Sequence, residues 1–176
     1  MTNDSACLDA AERSDIYKSL ASAFTYPQEG RGATNVSGAE YTSAFDPSVS
    51  EGACSLHEAS YVDQDQSSLF EELTRFYDYF GLSRSDDALL PDHIAVELEF
   101  MHYLTYLEQQ MDASKSGDLK SLRLAQRDFL TRHLRRLLNG VNNKLRIDVA
   151  KQYEDIVHTA VEFVNAETEW LNDKAA

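Results

Sequence analysis

The sequence contains few cysteines, prolines and glycines, and the scarcity of each argues against particular classes of protein. Cys7 and Cys54 are the two cysteines, and because they form at most one bridge and no C-x-x-C pair, they argue against a disulfide framework or a cysteine zinc site. With 7 glycines and 3 prolines in 176 residues, collagen-like and low-complexity chains are also disfavoured. A chain of this length is expected to fold as one domain over residues 1–176.

Long apolar runs are absent too. The longest uninterrupted apolar stretches are two or three residues, far below the ~18 that a membrane span requires. The N-terminus carries acidic residues where a signal peptide would carry a basic patch and an apolar stretch. We therefore predict a cytoplasmic protein without membrane insertion, and we interpret residues 1–13 as a flexible N-terminal extension.

Basic residues are scarce overall but locally concentrated. Lys and Arg number 16 against 30 Asp and Glu, a net charge of −14, which repels a nucleic-acid backbone and suits a cation-rich partner or a salt-rich cytosol. From Lys120 to Arg146 there are eight basic residues and one acid, so this stretch is +7 and the remainder −21. The stretch keeps phosphate or RNA binding open, although arginines alternating with leucines are typical of a solvated helix face.

Helical periodicity dominates outside residues 27–52, where glycines and prolines predict irregular connections. Five helices are predicted: Ile16–Phe24 after a cap at Ser14 or Asp15, Leu69–Phe80, a third from Pro91-Asp92 to Met111, Leu119–Leu137 ending near Asn139-Gly140, and Ile147–Trp170, with a break left open in the last. Alternating strand patterns of useful length are absent. The predicted fold is an all-α, single-domain helical bundle.

The segment from Leu90 to His102 is the most informative. Asp92, after a proline, is predicted to cap the third helix with its carboxylate. His93 and Glu97 are four residues apart and share one helix face, where Glu97 borders the apolar stripe. Because a buried carboxylate needs a partner, two interpretations stay open: a structural hydrogen bond, to His93 or to a neighbouring helix, and a carboxylate that faces a ligand.

Signs of catalysis are weak. Glu99 and His102 have the Glu-x-x-His spacing of di-iron bundles, but such a site needs that motif twice plus two further glutamates. No serine lies in a nucleophile-elbow pattern, and no glycine-rich phosphate loop occurs. We predict no catalytic site, no bound metal and no cofactor. A metal-dependent helical-bundle enzyme and a nucleotide- or RNA-binding helical protein remain alternative hypotheses.

Six short motifs, in order along the chain, carry a family resemblance. They are Tyr17-x-x-Leu20-Ala21-x-x-Phe24-x-Tyr26-Pro27, Glu40-Tyr41-Thr42-x-x-Phe45, Cys54-Ser55-Leu56-His57-Glu58-x-x-Tyr61, Phe76-Tyr77-x-x-Phe80-Gly81-Leu82, Leu90-Pro91-Asp92-His93-Ile94-x-x-Glu97-Leu98-Glu99-Phe100-Met101 and Phe129-Leu130-x-x-His133-Leu134. Over roughly residues 14–165 the chain resembles the TorD/DmsD/NarJ family of molybdoenzyme maturation chaperones. Within that family it is most similar to the chaperones of type II dimethyl-sulfoxide-reductase-family enzymes.

The resemblance implies a cytoplasmic chaperone rather than an enzyme. Such a protein binds the apo catalytic subunit of a molybdenum-cofactor oxidoreductase, often through its twin-arginine leader, until the cofactor is inserted. By position in the family, the client-binding groove would comprise Leu56, His57, Glu58, Tyr61, Asp92, His93 and Glu97. Acidic side chains there suit a leader with two arginines, because guanidinium and carboxylate groups pair bidentately.

The end of the fourth predicted helix departs from the family pattern. After His133-Leu134 the family usually has Trp and then Pro, whereas this chain continues with Arg135-Arg136. The resemblance therefore supplies no binding role for this end of the helix.

Overall fold

The computed structural model describes residues 8–27, 36–85, 87–111 and 116–175. In these ranges the chain forms the α-helices α1 (Ala10–Ala23), α2 (Gly38–Phe45), α3 (Gln66–Tyr79), α4 (Ile94–Gln110), α5 (Ser116–Phe129), α6 (Arg135–Lys144) and α7 (Ile147–Ala175). A 3-10 turn covers Glu58–Ser60, and a π-helical turn at Leu130–Leu134 joins α5 to α6. The described residues contain one isolated β-bridge, between His57 and His93, and no strand. The predicted all-α bundle is confirmed.

One core joins the helices. Helix α1 packs along α4, and α7 packs against α2, α5 and α6. Phe100 of α4 and Phe129 of α5 meet edge to face with ring centroids 4.7 Å apart, and both side chains are buried. Each large apolar side chain buried in this way contributes about 1.5–3 kcal/mol. No helix of the described ranges is long and apolar enough to span a lipid bilayer.

Helix α1 begins earlier than the sequence predicts. Asp9 is its N-cap and forms a capping box with Glu12: each side chain accepts the other's backbone N–H at 2.9 Å. Arg13 lies within the helix and is only 1% exposed. The predicted start after Ser14 or Asp15 is therefore wrong, as is a flexible extension over residues 10–13. Residues 1–7 of that predicted extension lie outside the described residues.

Helix α2 lies in a region for which irregular structure was predicted. Ser37 caps it and exchanges hydrogen bonds with Glu40 in a second capping box. Its apolar face reaches the core, where Phe45 meets Tyr153 of α7 with ring centroids 4.5 Å apart. These contacts outweigh the unfavourable helix propensity of Gly38. Residues 46–52 of that region are irregular, as predicted, and residues 28–35 lie outside the described residues.

The C-terminal half differs from the prediction in the fourth helix, and it resolves the break that was left open in the fifth. The fourth predicted helix is α5, the π-helical turn and α6 in succession, and it continues through Gly140 to Lys144. Helix α7 runs without interruption over 29 residues. By contrast, α3 ends at Tyr79 and the chain turns away at Gly81, where the end of the helix was predicted. Gly81 has a φ of 75°, a conformation that glycine adopts without steric cost.

Candidate functional site

Hydrogen bonds join the loop of residues 55–61 to the start of α4. His57 of the loop contacts Asp92, which lies 35 residues later in the chain. The backbone N–H of Glu58 donates to the Asp92 carbonyl and that of Ile94 donates to the Leu56 carbonyl, both at 2.9 Å. The structure therefore brings together the two segments that contain the predicted client-binding residues.

Most of those residues are enclosed in the fold. The buried ones, each at most 6% exposed, are Leu56, Glu58, Asp92, His93 and Glu97. His57, with a side chain 36% exposed, and the half-buried Tyr61 reach the surface. What the sequence suggested as a groove is, in this structure, a buried carboxylate cluster of Glu58, Asp92 and Glu97 covered by the loop.

Asp92 does not cap α4, so that prediction is wrong. The cap is His93, whose Nδ1 accepts the backbone N–H of Ala95 at 3.1 Å. Burial lowers the pKa of His93 to about 4, and the neutral ring can therefore serve as the acceptor. Asp92 instead holds the loop: Oδ1 lies 2.9 Å from Nδ1 of His57, and Oδ2 accepts the backbone N–H of Ala59 at 3.2 Å.

Glu58 is held from the opposite side by the π-helical turn and the first turn of α6. Its Oε2 lies 3.0 Å from Nδ1 of His133, and its Oε1 accepts a hydrogen bond from Nη2 of Arg136 at 2.7 Å. The other ring nitrogen of His133 lies 3.4 Å from Oε1 of Glu72 but forms no hydrogen bond within the described residues. Such π-helical turns are frequent at functional sites.

Glu97 is fully buried, and no donor among the described residues forms a hydrogen bond to either carboxylate oxygen. The structural pair with His93 is not formed. Burial raises the pKa of Glu97 well above its usual value, and the neighbouring Glu58 and Asp92 raise it further. The Glu58 carboxylate lies within reach of a proton on Glu97, so we interpret Glu97 as protonated and donating to Glu58.

Tyr61 closes the loop over this cluster. Its hydroxyl donates to the Ser55 carbonyl at 2.5 Å, and Nζ of Lys144 lies 5.4 Å from its ring centroid. The ring lies against Gly140, where an added Cβ would be 2.4 Å from Cγ of Tyr61. Only glycine allows so close an approach, so Gly140 serves the packing of the loop rather than a helix end.

The basic stretch between Lys120 and Arg146 is engaged largely with the protein's own side chains. The side-chain contacts in this stretch are Arg123 with Glu108, Arg127 with Asp128, Arg132 with Glu72, Arg135 with Asn165 and Arg136 with Glu58. Four of these five partners are carboxylates, which neutralise charge that a phosphate backbone would require. The contacts weaken the nucleotide- or RNA-binding hypothesis.

The histidine of the Glu-x-x-His pair, His102, has a structural role. Nδ1 of His102 lies 2.8 Å from Oγ of Ser14 and 3.0 Å from its carbonyl oxygen, which ties α4 to α1. Within the described ranges, no group of three or more His, Cys, Asp or Glu residues has the arrangement needed to hold a metal ion. Glu99 and His102 thus lack the further ligands that a di-iron site requires.

Comparison with known proteins now adds to this geometry. The model of the nitrate reductase delta subunit family matches residues 8–140. The chain belongs to this family. The resemblance to the TorD/DmsD/NarJ chaperones is confirmed, together with the chaperone role in molybdoenzyme maturation that it implies.

Curated relatives are named as assembly proteins. The chain is 34% identical to the selenate reductase assembly chaperone protein of Thauera selenatis over 67% of this chain and 68% of the relative. It is 34% identical to the perchlorate reductase assembly chaperone protein of Dechloromonas aromatica (strain RCB), over 73% and 58%. For the chlorate reductase assembly chaperone protein of Ideonella dechloratans the identity is 31%, over 61% and 56%. The chain thus spans under two thirds of the length of the last two.

Proposed function

We propose that this protein is a cytoplasmic chaperone that binds the apo catalytic subunit of a molybdenum-cofactor reductase before cofactor insertion. It engages the subunit through an arginine-bearing N-terminal leader and catalyses no reaction of its own. The relatives' names refer to selenate, perchlorate and chlorate reductases, which supports a client that reduces an oxyanion.

The observation that carries the proposal is the path of Arg136. Its side chain is 43% exposed, yet its guanidinium bonds the fully buried Glu58 carboxylate. The side chain of Arg136 therefore shows that a guanidinium can extend from solvent to the buried carboxylate cluster. A client arginine that follows this route replaces Arg136 on Glu58 without new desolvation of the carboxylate, because Glu58 is already removed from water.

The seven predicted residues then divide into two roles. His57 and Tyr61, which reach the surface, contact the client. The buried residues hold the loop in place or carry charge: Asp92 fixes the loop backbone, and Glu58 and Glu97 supply carboxyl groups. A charge-assisted hydrogen bond to such a carboxylate contributes about 1.5–3 kcal/mol.

Co-purification tests the proposal. The tagged full-length chain is expressed in its native host, and bound proteins are identified and quantified by mass spectrometry. We expect a molybdenum-cofactor reductase subunit to be recovered with the wild-type chain. Absence of any such subunit would contradict the proposal.

Two variants then locate the contact. Glu58→Gln is expected to reduce recovery of the client several-fold, because the amide pairs weakly with a guanidinium. Arg136→Gln is expected to increase recovery, because it frees Glu58 for the client. Arg135→Gln, at an exposed neighbour that bonds Asn165, is the matched control and should change nothing. If Arg136→Gln lowers recovery as much as Glu58→Gln does, Arg136 is not a placeholder for a client arginine.

A further inference from the structure

A surface feature lies near the start of α4 and includes Tyr77, whose hydroxyl bonds the carbonyl of Pro91, the residue before Asp92. We call it the α3–α4 groove: a cavity of about 390 Å³ whose apolar lining includes Tyr77, Leu82, Leu89, Val96, Phe100 and Tyr103. Its volume is at the lower end of the range for ligand sites. The groove has room for a few side chains of a bound molecule, not for a folded partner.

The groove has a fixed wall. Arg84 donates from Nε to the Leu89 carbonyl at 3.0 Å and from Nη2 to the Ala88 carbonyl at 2.8 Å, which holds the segment after α3 in place. On the other side the Tyr77 hydroxyl donates to the Pro91 carbonyl at 2.8 Å. These bonds form the wall before any ligand is present, so a ligand need not order it.

The mouth of the groove exposes apolar surface. Leu89 and Leu90 are 46% and 38% exposed, and Leu89 also lines the cavity. Apolar surface that continues past a cavity suits a chain molecule that extends over it better than a small compound that the cavity encloses. The occupant is therefore best described as a peptide segment with apolar side chains.

The charge at the groove is negative. Asp78 and Glu99 belong to its lining, whereas its arginine, Arg84, is bound to backbone carbonyls of the wall. Burial raises the pKa of Tyr77 well above its usual value, and the nearby carboxylates Glu58 and Asp92 raise it further. Their field thus reaches the groove, and a positive charge beside the apolar side chains is favoured over a negative one.

We infer that the α3–α4 groove binds an apolar segment of the client that lies next to a basic residue. This inference rests on the proposed function and extends it: the buried carboxylate cluster receives a guanidinium, and the groove receives the neighbouring apolar side chains. The apolar contact is then made by groove residues rather than by Leu56, which is only 3% exposed.

Fluorescence anisotropy with the full-length protein tests the inference. The probe is a labelled synthetic peptide with paired arginines followed by a leucine- and alanine-rich run. One matched peptide carries serines in place of the leucines, and another carries glutamines in place of the arginines. Wild-type protein is expected to bind the probe most tightly, with at least about a tenfold loss when the leucines are replaced, which corresponds to burial of one or two side chains.

Variants assign that binding to the groove. Val96→Trp fills the cavity and should weaken binding about tenfold, and Leu89→Ser, at an exposed position, should weaken it about threefold. Ile156→Trp, in a depression between α1 and α7, is the matched control and should have no effect. Glu99→Gln should weaken binding of the arginine probe about threefold and leave the glutamine peptide unaffected.

The outcomes separate this inference from the proposed function. The inference would be overturned if wild-type protein failed to bind the probe, or if both groove variants bound it as tightly as wild type. Recovery of the reductase subunit would then leave the proposed function standing. Groove-dependent probe binding supports the groove as a peptide site. If that binding occurs but no reductase subunit is recovered from the host, the proposed function is the part that fails.

Discussion

Two networks of buried charge lie in this bundle, and they are built differently. In the first, which we call the Arg13 network, Arg13 donates to Glu167 at 2.7 Å, to Glu108 at 3.0 Å and to Gln126 at 2.6 Å, and Arg123 adds a second cation on Glu108. These residues belong to α1, α4, α5 and α7. In the buried carboxylate cluster, by contrast, Glu97 has no donor from the rest of the described chain.

The number of cations on the carboxylates distinguishes a structural network from a cluster that can accept a further cation. Burial alone would lower the pKa of Arg13, but Glu167 and Glu108 raise it. Burial opposes ionisation of Glu108, yet its contacts with Arg13, Gln126 and Arg123 lower its pKa. At Glu167 the effect of burial is larger than that of the pairing with Arg13, so the pKa of Glu167 is raised. A satisfied buried network rigidifies a core. Among the described residues, the buried carboxylate cluster has one guanidinium, that of Arg136, against the two carboxylates Glu58 and Asp92, and we propose that the remaining negative charge is met by the client.

The largest expected effect comes from breaking the Arg13 network. Arg13→Met leaves Glu108 and Glu167 buried without their shared cation, and loss of one partner of a buried pair costs about 3–5 kcal/mol. Urea unfolding at neutral pH measures the change in the free energy of unfolding. Arg75→Met is the matched control: Arg75 pairs with Glu71 on the exposed face of α3, with a side chain 73% exposed.

The control is expected to cost at most about 0.5 kcal/mol, because exposed i, i+4 pairs contribute little. Equal losses for Arg13→Met and Arg75→Met would show that the Arg13 network does not hold the helices together. If Arg13→Met lowers the free energy of unfolding only slightly, Glu108 and Glu167 take up protons or water readily once their shared cation is removed.

A smaller effect is expected from displacing the loop that covers the buried carboxylate cluster. Gly140→Ala places a methyl group 2.4 Å from Cγ of Tyr61, and such overpacking costs about 1–3 kcal/mol. Gly117→Ala in α5, where nothing lies within 4 Å, is the control and should be neutral or slightly stabilising. Thermal unfolding followed by circular dichroism compares them; equal midpoints would show that Tyr61 moves aside without cost.

The sequence predicted the helices whose apolar stripes face the core, such as α3, where Leu69 and Leu73 are fully buried. It failed where polar residues do the packing. Arginine is usually found at the surface, so Arg13 gave no sign of facing the core, and the first turn of α1 was not predicted. Glycines and prolines near α2 suggested irregular structure, although Ser37 and Glu40 form a capping-box signal that the sequence displays.

The site was predictable only in part, and for a physical reason. The resemblance grouped the loop of residues 55–61 with the start of α4, which periodicity could not do. Burial of these residues depends on His133 and Arg136 reaching Glu58 from a π-helical turn and the helix after it. Because π-helical turns are rare, periodicity predicted one continuous helix over Leu119–Leu137, and an enclosed cluster could not be distinguished from an open groove.

A pH titration of stability tests whether Glu97 is protonated in the folded state. Because the pKa of Glu97 is raised in the folded state, the folded protein keeps a proton that the unfolded chain releases above about pH 4.3. Stability from this group is therefore fully present below that pH and is lost as pH rises toward the folded-state pKa, at up to about 1.4 kcal/mol per pH unit.

Glu97→Gln removes this dependence, because the amide stays neutral and can donate to Glu58. We expect the variant to be more stable than wild type at pH 8, by about 1.4 kcal/mol for each pH unit that separates the unfolded-state pKa of Glu97 from its folded-state pKa, with the advantage shrinking toward pH 4. Glu154→Gln, at an exposed position of α7, is the control and should keep the wild-type profile. Parallel curves for Glu97→Gln and wild type from pH 4 to 8 would show that Glu97 is ionised throughout.

The smallest expected effect comes from salt, which acts on the surface and barely on either buried network. A net charge of −14 makes the folded state repel itself in dilute buffer, and KCl screens exposed charges far more than buried pairs. We expect the free energy of unfolding to rise by a few tenths of a kcal/mol toward molar KCl. The rise should be the same for wild type and Arg13→Met, with a near-neutral protein as control. If the free energy of unfolding rises with KCl in wild type but not in Arg13→Met, salt acts on the Arg13 network. If it rises in neither protein, the surface acids are already paired.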